Sequence, residues 1–327
     1  MRLMSGSSPT VPSLGQLADL KTPWCVRVAV TLGVAEVVQH RPRAIADIAD
    51  SVGCDPEALH RVLRHLARKG LFEEPEHGVF VLADGGRELI EPQARLFLGL
   101  DGIGGRFAQV WSTMPSYVRT GQPAYHEVFG RAFWDDLGAN PDLAANFDEF
   151  MDVAHRPRDG SLPLADGWDD VRSVVDVGGG TGALLEAVLR AHPHVRGTLV
   201  DLPATAARAR ERLAGTDLAD RVESVGQRFF DALPAGADLY LLSGVLNDWP
   251  NPEAVAILTR CAEAARPGGT VVVLGNYSEG DTPRALVIEM LLVGGKDRSL
   301  AELEAIATRA GLVVTAAGAT LVELRPA

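Results

Sequence analysis

The residues with the plainest chemical content cluster at the ends of apolar runs. The run YLLSGVL at 240–246 stops at Asn247, Asp248 and Trp249. A strand that delivers its last residues to a cleft commonly delivers chemistry there, yet Asn247 cannot exchange a proton near neutrality. A second run, SVVDV, opens into Gly178-Gly179-Gly180-Thr181-Gly182 immediately after Asp176 and Val177. Glycines at such spacing let the backbone turn sharply and approach a ligand closely. A third run, GTLVDL, ends in Asp201, about 20 residues further on, where a carboxylate can hold a pair of ribose hydroxyls. The spacing GGGTG differs from the G-x-G-x-x-G of NAD enzymes.

The elements that must position these residues alternate from Asp166 onward. SVVDV, GTLVDL, DRVESV, DLYLLSG and TVVVLGN read as strands. Segments through LLEAVLRAH, AARARERLA and EAVAILTRCAEAA read as helices between them. That rhythm predicts an α/β, doubly wound, mostly parallel sheet over residues 166–327, covered by helices on both faces. Residues 101–165 predict helices that bridge to it and supply aromatic and Met side chains to a substrate pocket. There Phe147, Phe150, Met151 and His155 include pairs three and four apart on a shared face.

Residues 1–100 predict a mostly helical winged-helix domain. One long amphipathic helix is expected from Leu14 through Leu17, Leu20, Trp24, Val28 and Leu32 to Ala35. Two shorter helices follow, AIADIADSVG and DPEALHRVLRHLARKG, then a hairpin in LFEEPEHGVFVLADGG. Such a unit can read DNA, with Arg61, Arg64, Arg68 and Lys69 on or near the helix that would enter a groove. Against that reading, residues 1–100 hold 11 Lys/Arg and 12 Asp/Glu, without the positive excess that displaces counterions. The same apolar helices can instead pair with a second copy of the chain.

Composition bounds the rest. The 327 residues suit two domains, 46% hydrophobic residues suffice for packed cores, and a net charge of -12 disfavours polyanionic partners. Cys25, Cys54 and Cys261 stand far apart, so buried thiols are expected, with neither a disulfide framework nor a metal site. The start MRLMSGSSPTVPS has no apolar core of signal-peptide length, and no run approaches the roughly 18 apolar residues of a membrane helix. A soluble, cytoplasmic protein with neither nucleic acid nor membrane as partner is the expectation.

VVDVGGGTGALL, LVDLP, LSGVLNDWPNPEAVAIL, PGGTVVVLGN and GGKDRSLAELEAIATRAGL together resemble the small-molecule O-methyltransferases that use S-adenosylmethionine. This is the family shared by plant phenylpropanoid enzymes and bacterial antibiotic-tailoring enzymes, and the resemblance spans nearly the whole chain. It implies a Rossmann-like methyltransferase domain and a homodimer built by the amino-terminal winged helix. It implies S-adenosylmethionine as cofactor, with S-adenosylhomocysteine as its product. Carried over by position, Asp176, Gly178 and Gly180 would hold the methionine end of the cofactor. Asp201, with Leu202 beside it, would hold the ribose, and Ser243 would lie beside the sulfonium. The adenine wall, commonly Gly-Asp-Phe-Phe in the family, is here Gln227-Arg228-Phe229-Phe230, where Phe229 can supply a stacking face.

The family's general base is a histidine in His-Asp-Trp, and that position is Asn247. Of the two acidic residues that steer the histidine, one falls on Gly275 and the other on Asp297. A phenol of pKa near 10 is ionised to about one part in a thousand at pH 7, so loss of the base costs up to roughly 4 kcal/mol of barrier. Alignment of the reactants can offset that, since proximity contributes about 7 to 11 kcal/mol. Asn247 would then orient the acceptor, while His155 or Asp297 accepts a proton through water. The acceptor pocket is expected from Trp111, Phe133, Met151, His155, Asn247, Tyr277, Met290 and Leu291, a mix suited to a flat aromatic or polyketide-like molecule. Two alternatives stand beside methyl transfer: a non-methylating tailoring enzyme that uses the sulfonium charge for decarboxylation, hydroxylation, rearrangement or pericyclic closure, and a winged-helix regulator.

Overall fold

The computed structural model describes residues 12–154, 167–265, 267–275, 288–318 and 320–327. The chain forms two units, Met1–Arg106 and Phe107–Ala327.

In the first unit the expected single helix is broken into three, Leu14–Leu17, Lys21–Thr31 and Val34–Val38. The breaks have local causes. Asp19 accepts from the Lys21 amide at 3.0 Å and the Thr22 hydroxyl at 2.5 Å, starting a new helix in mid-pattern. Gly33 takes φ 68, a left-handed conformation that halts helical propagation. Leu14, Leu17 and Leu20 stay 82%, 69% and 73% exposed, so none of the described residues covers that apolar stripe.

The other helices form as expected. Ile45–Val52 ends at Gly53, and Pro56–Ala67 starts with Pro56 in its first turn and Asp55 accepting from the Ala58 amide at 2.7 Å. Arg43–Ala44 (β1), Phe72–Glu76 (β2) and Val79–Leu82 (β3) make an antiparallel sheet of order β1-β3-β2. Leu63, Leu66, Phe72 and Phe80 close the core between helices and hairpin. Each such side chain contributes about 1.5–3 kcal/mol by leaving water. Glu74 joins the hairpin to the helix. It takes the Gly78 amide at 2.9 Å, His60 Nε2 at 3.1 Å and Arg64 Nε at 3.3 Å, and these donors hold its carboxyl below the usual range. Arg61 pairs with Glu57 at 2.5 Å, so two arginines of this helix already face carboxylates of their own unit.

In the second unit, Ser173–Val177 (β4), Arg196–Asp201 (β5), Val222–Gly226 (β6), Leu239–Ser243 (β7), Thr270–Leu274 (β8), Leu312–Ala317 (β9) and Leu321–Pro326 (β10) form one sheet. Its order is β6-β5-β4-β7-β8-β10-β9. β4 to β8 run parallel, whereas β10 lies antiparallel to both β8 and β9. Successive side chains point to opposite faces. Accordingly Val175, Val177, Tyr240, Leu242, Val271 and Val273 pack with the helices Asn251–Ala264 and Leu300–Arg309. Val174, Leu199, Leu239, Leu241 and Val272 pack with Ala183–Ala191 and Pro203–Ala214 on the other face. Burial on both faces is why these strands read as continuous apolar runs rather than alternating ones. The order reverses between β4 and its neighbours β5 and β7, which opens a crevice at the carboxyl ends of those strands.

Cys261 is buried, and Cys25 and Cys54 are half-buried rather than fully enclosed; all three are free thiols. Among the described residues no helix is long and apolar enough to cross a membrane.

Candidate active site

At the end of β4 the chain turns through Gly178, with φ 71, and Gly180, with φ 58. A Cβ on Gly178 would lie 2.6 Å from Val245 Cγ2, and one on Gly179 would lie 2.7 Å from Asp176 Oδ2. Side chains are therefore excluded from this turn by its neighbours as well as by backbone conformation. Asp176, 1% exposed, sits beneath it with Oδ2 unpartnered among the described residues. Burial, and the nearby Asp201 charge, push the Asp176 carboxyl up to about 7. Asp201 accepts from the Gly180 amide at 2.8 Å and from the Leu202 amide at 2.7 Å. Burial nonetheless outweighs those two donors and raises it to about 6.

The helix Pro141–Ala154 is tied to this turn from one side. Asp152 accepts from the Thr181 hydroxyl at 2.8 Å, and Asp148 pairs with the Arg208 guanidinium, whose Nε lies 2.9 Å away. Desolvation still raises the Asp148 carboxyl, against the pull of Arg208.

β7 ends at Ser243 and passes through Gly244 and Val245 into a tight turn over Leu246–Asp248. Arg298, 3% exposed, holds this turn from behind. Its Nη1 donates to the Leu246 carbonyl at 2.5 Å, its Nη2 to the Trp249 carbonyl at 2.6 Å and its Nε to Asn251 Oδ1 at 3.0 Å. The Lys296 amide donates to the Asn247 carbonyl at 2.9 Å. Ser299 and Glu302 cap the following helix reciprocally, which fixes the segment that carries Arg298. Sequence reasoning missed Arg298, although it lies beside Asp297 in GGKDRS and immediately precedes the S-x-x-E capping signal that Ser299 opens. Its targets are 47 to 52 residues away along the chain, and a local pattern does not reveal such partners.

Trp249 stacks on Trp134 at 5.5 Å and 17°, and meets Phe229 and Phe230 edge-on at 5.8 and 5.0 Å. These rings wall a cavity of about 530 Å³. Seven of the eight residues expected to hold the cofactor line it: Gly178, Gly180, Asp201, Leu202, Arg228, Phe229 and Ser243. The eighth, Asp176, is the carboxyl below the turn. Met151 also lines the cavity, as does Asp248.

The expected acceptor residues are placed less uniformly. Asn247 is half-buried on the clamped turn and is not part of the cavity wall; its amide makes no hydrogen bond among the described residues. Phe133, expected on the pocket wall, is instead 1% exposed and packs among Phe107, Tyr125, Trp134 and Phe147. Its large apolar ring is better satisfied in that aromatic core than at a cavity surface. Trp111, 41% exposed, opens a short turn that packs against the helix Ile288–Val293, which bears Met290 and Leu291. Asp297 is half-buried next to Arg298. Gly275 follows β8 with no side chain to offer, its amide donating to the Thr320 carbonyl at 3.1 Å. His155 and Tyr277 lie outside the described residues.

The donor set fits S-adenosylmethionine. A glycine turn with no room for side chains, an orphaned buried carboxyl oxygen, a second carboxylate 25 residues on at the end of the next strand, and an aromatic wall suit an amino-acid end, a ribose and an adenine.

Comparison with known proteins agrees with this geometry. The model of the O-methyltransferase domain matches residues 111–313, and that of the O-methyltransferase dimerisation domain matches residues 16–92. The 2,7-dihydroxy-5-methyl-1-naphthoate 7-O-methyltransferase of Streptomyces carzinostaticus is 43% identical over 310 residues, covering 93% of each chain. Aclacinomycin 10-hydroxylase RdmB of Streptomyces purpurascens is 38% identical, over 95% of this chain and 89% of that one. Among solved structures, the O-methyltransferase NcsB1 from neocarzinostatin biosynthesis, in complex with S-adenosylhomocysteine and 1,4-dihydroxy-2-naphthoic acid, superposes with a TM-score of 0.87. It is 41% identical over 96% of this chain and 99% of that chain. Its fold, its glycine-lined cavity and these matches place the chain in the S-adenosylmethionine-dependent O-methyltransferase family, with an amino-terminal dimerisation domain followed by a class I methyltransferase domain.

Proposed function

We propose that the protein transfers a methyl group to a hydroxyl of a flat aromatic, polyketide-like acceptor of the hydroxynaphthoate kind, and that it works as a homodimer. The single observation that carries this reading is the 530 Å³ cavity on which the glycine turn, Asp201, Ser243 and an aromatic wall converge. The named acceptors of the Streptomyces relatives support the choice of an aromatic substrate. The exposed stripe of Leu14, Leu17 and Leu20, within and next to the dimerisation match, supports pairing through residues 1–100. Residues 101–165 and the catalytic domain of residues 166–327 would share the substrate pocket.

When bound, the cofactor supplies an electrophilic methyl group on a positively charged sulfur. Asp176, with the backbone of Gly178 and Gly180, would hold its amino-acid end, Asp201 beside Leu202 the ribose, Phe229 and Arg228 the adenine, and Ser243 the sulfur. Met151, Trp111, Met290 and Leu291 present apolar surface to the acceptor; Tyr277, assigned to the same wall from the sequence, lies outside the described residues. Phe133 stiffens it from behind. The Asn247 amide orients the acceptor hydroxyl without removing its proton, and His155 or Asp297 takes that proton through water. Lacking the roughly 4 kcal/mol that a strong base would contribute, such a site favours acidic hydroxyls.

A second reading rests on the relative named as a hydroxylase and on Asn247 in the base position. In it the residues of the cavity would hold the cofactor so that it supplies a fixed positive charge beside an anion-like transition state, with no methyl transfer. Incubation with methyl-labelled S-adenosylmethionine and a panel of hydroxynaphthoic acids and hydroxyanthraquinones separates the two. Methyl transfer yields labelled ether and one S-adenosylhomocysteine per product. Turnover that needs the cofactor but forms no S-adenosylhomocysteine would replace the first reading with the second.

A further inference from the structure

Asp248 is a half-buried carboxyl of the cavity wall that has no compensating partner among the described residues. Of the other acids lining the cavity, Asp148 is paired with Arg208, Asp152 takes the Thr181 hydroxyl, and Asp201 takes two backbone amides. Asp135 lies on the rim side of the helix Phe133–Ala139 and is exposed. Asp248 has no side-chain hydrogen bond and no ion pair among the described residues, and its neighbour Trp249 stands among aromatic rings. The nearby cations are occupied elsewhere: Arg298 donates to the carbonyls on either side of Asp248, and Lys296 Nζ lies 3.5 Å from Glu302. Arg228, across the cavity, lies over the Phe230 ring at 6.0 Å. Asp176 sits under the glycine turn, and Glu253, half-buried in the first turn of the next helix, adds a further negative group.

A carboxyl so placed meets a choice each time the cavity fills. Half-buried and without a side-chain partner among the described residues, it is held towards the protonated form in an empty or neutral site. A ligand that brings a fixed positive charge into the same cavity reverses that preference. We propose that Asp248 senses the charge of the bound cofactor: it keeps its proton when the cavity is empty or holds S-adenosylhomocysteine, and gives it up when sulfonium-bearing S-adenosylmethionine enters. The site would thereby favour the charged cofactor over its neutral-sulfur product. This rests on the cofactor reading of the cavity and goes beyond it, because it assigns the discrimination to one side chain outside the glycine turn. Burial raises the Asp248 carboxyl to about 8, the direction this proposal needs.

The two ligands carry the same α-ammonium, carboxylate and adenosine, so their difference isolates the sulfonium. Calorimetry of the full chain at pH 7, in phosphate and in Tris, counts protons released from the dependence of the heat on buffer ionisation. S-adenosylmethionine should release about half a proton or more beyond S-adenosylhomocysteine, and the ratio of their affinities should rise several-fold from pH 6 to pH 8. Asp248→Asn should abolish both differences while leaving S-adenosylhomocysteine affinity within about threefold, and Asp248→Glu should retain a pH-dependent ratio. Equal proton counts for the two ligands in the unaltered protein would overturn the proposal whether or not the variants fold, as would a pH-dependent ratio that survives in Asp248→Asn. Binding of neither ligand would overturn the cofactor reading itself, an outcome distinct from binding without proton release.

Discussion

The turns after β4 and β7 end neighbouring parallel strands and face one cavity, yet they are built in opposite ways. The glycine turn is fixed by what it lacks and by amides that serve Asp201, all within about 25 residues. The turn at Leu246–Trp249 is fixed from outside by Arg298, about 50 residues away. The first turn shapes a site for a ligand the whole family shares. The second carries Asn247, at the position where the resemblance places the general base, and Asp248. A backbone held by a distant guanidinium leaves the side chains at 247 and 248 free to vary without loss of the turn, so chemistry can change there while the fold persists.

That contrast can be broken most severely at Arg298. Arg298→Ala leaves two carbonyls and the Asn251 amide oxygen unsatisfied in a buried setting and should cost about 3–4 kcal/mol of stability, read by urea denaturation. Lysine, unable to fork, should recover less than half of this. A loss below about 1 kcal/mol would mean that the turn does not depend on the clamp.

Asn247→His sharpens the comparison next. Restoring a base at this position should raise methylation of weakly acidic phenols by about a hundredfold, with little change for acidic ones, as measured by label transfer. Equal rates for both phenol classes would show that the acceptor hydroxyl does not reach residue 247.

A smaller effect is expected from Asp248→Asn on the empty protein. A carboxyl of about 8 in the folded state and about 4 in the unfolded state imposes no penalty below pH 4 and an increasing one as pH rises towards 8. The amide should therefore stabilise the empty protein, by an amount that is near zero at pH 4 and grows steadily as pH rises towards 8, seen as a widening gap in Tm. A constant gap across that range would contradict the burial argument.

The smallest change is expected at the glycine turn itself. Gly178→Ala forces a methyl group to within 2.6 Å of Val245 at positive φ and should weaken S-adenosylhomocysteine binding about tenfold, or ~1.4 kcal/mol, by calorimetry. Val245→Ala in the same protein should restore part of that loss by making room.

What the sequence made legible follows the same division. The parallel strands, the glycine turn and Asp201 declare themselves through local spacing, and the cavity contains them. The sequence does not announce the antiparallel pair β9 and β10, because LVVTAA and LVELRP are short and β10 is inserted between the edge strand β9 and β8, about 50 residues earlier. The long amino-terminal helix was misread because apolar periodicity runs on through Asp19 and Gly33, where capping and a left-handed backbone override it. Phe133 was assigned to a pocket wall by residue type alone, and packing decided otherwise. Arg298 and Asp248 were passed over for a shared reason: the role of each depends on which carbonyls, rings and charges surround it in space.

The central claim is that this cavity binds the methyl donor through the glycine turn and Asp201. Calorimetric titration of the purified protein with S-adenosylhomocysteine, alongside Asp201→Ala checked for folding by circular dichroism, tests it most directly. The account predicts one site per chain in the unaltered protein and at least tenfold weaker binding in the variant. Undetectable binding in the unaltered protein, or equal affinity in the two, would contradict it.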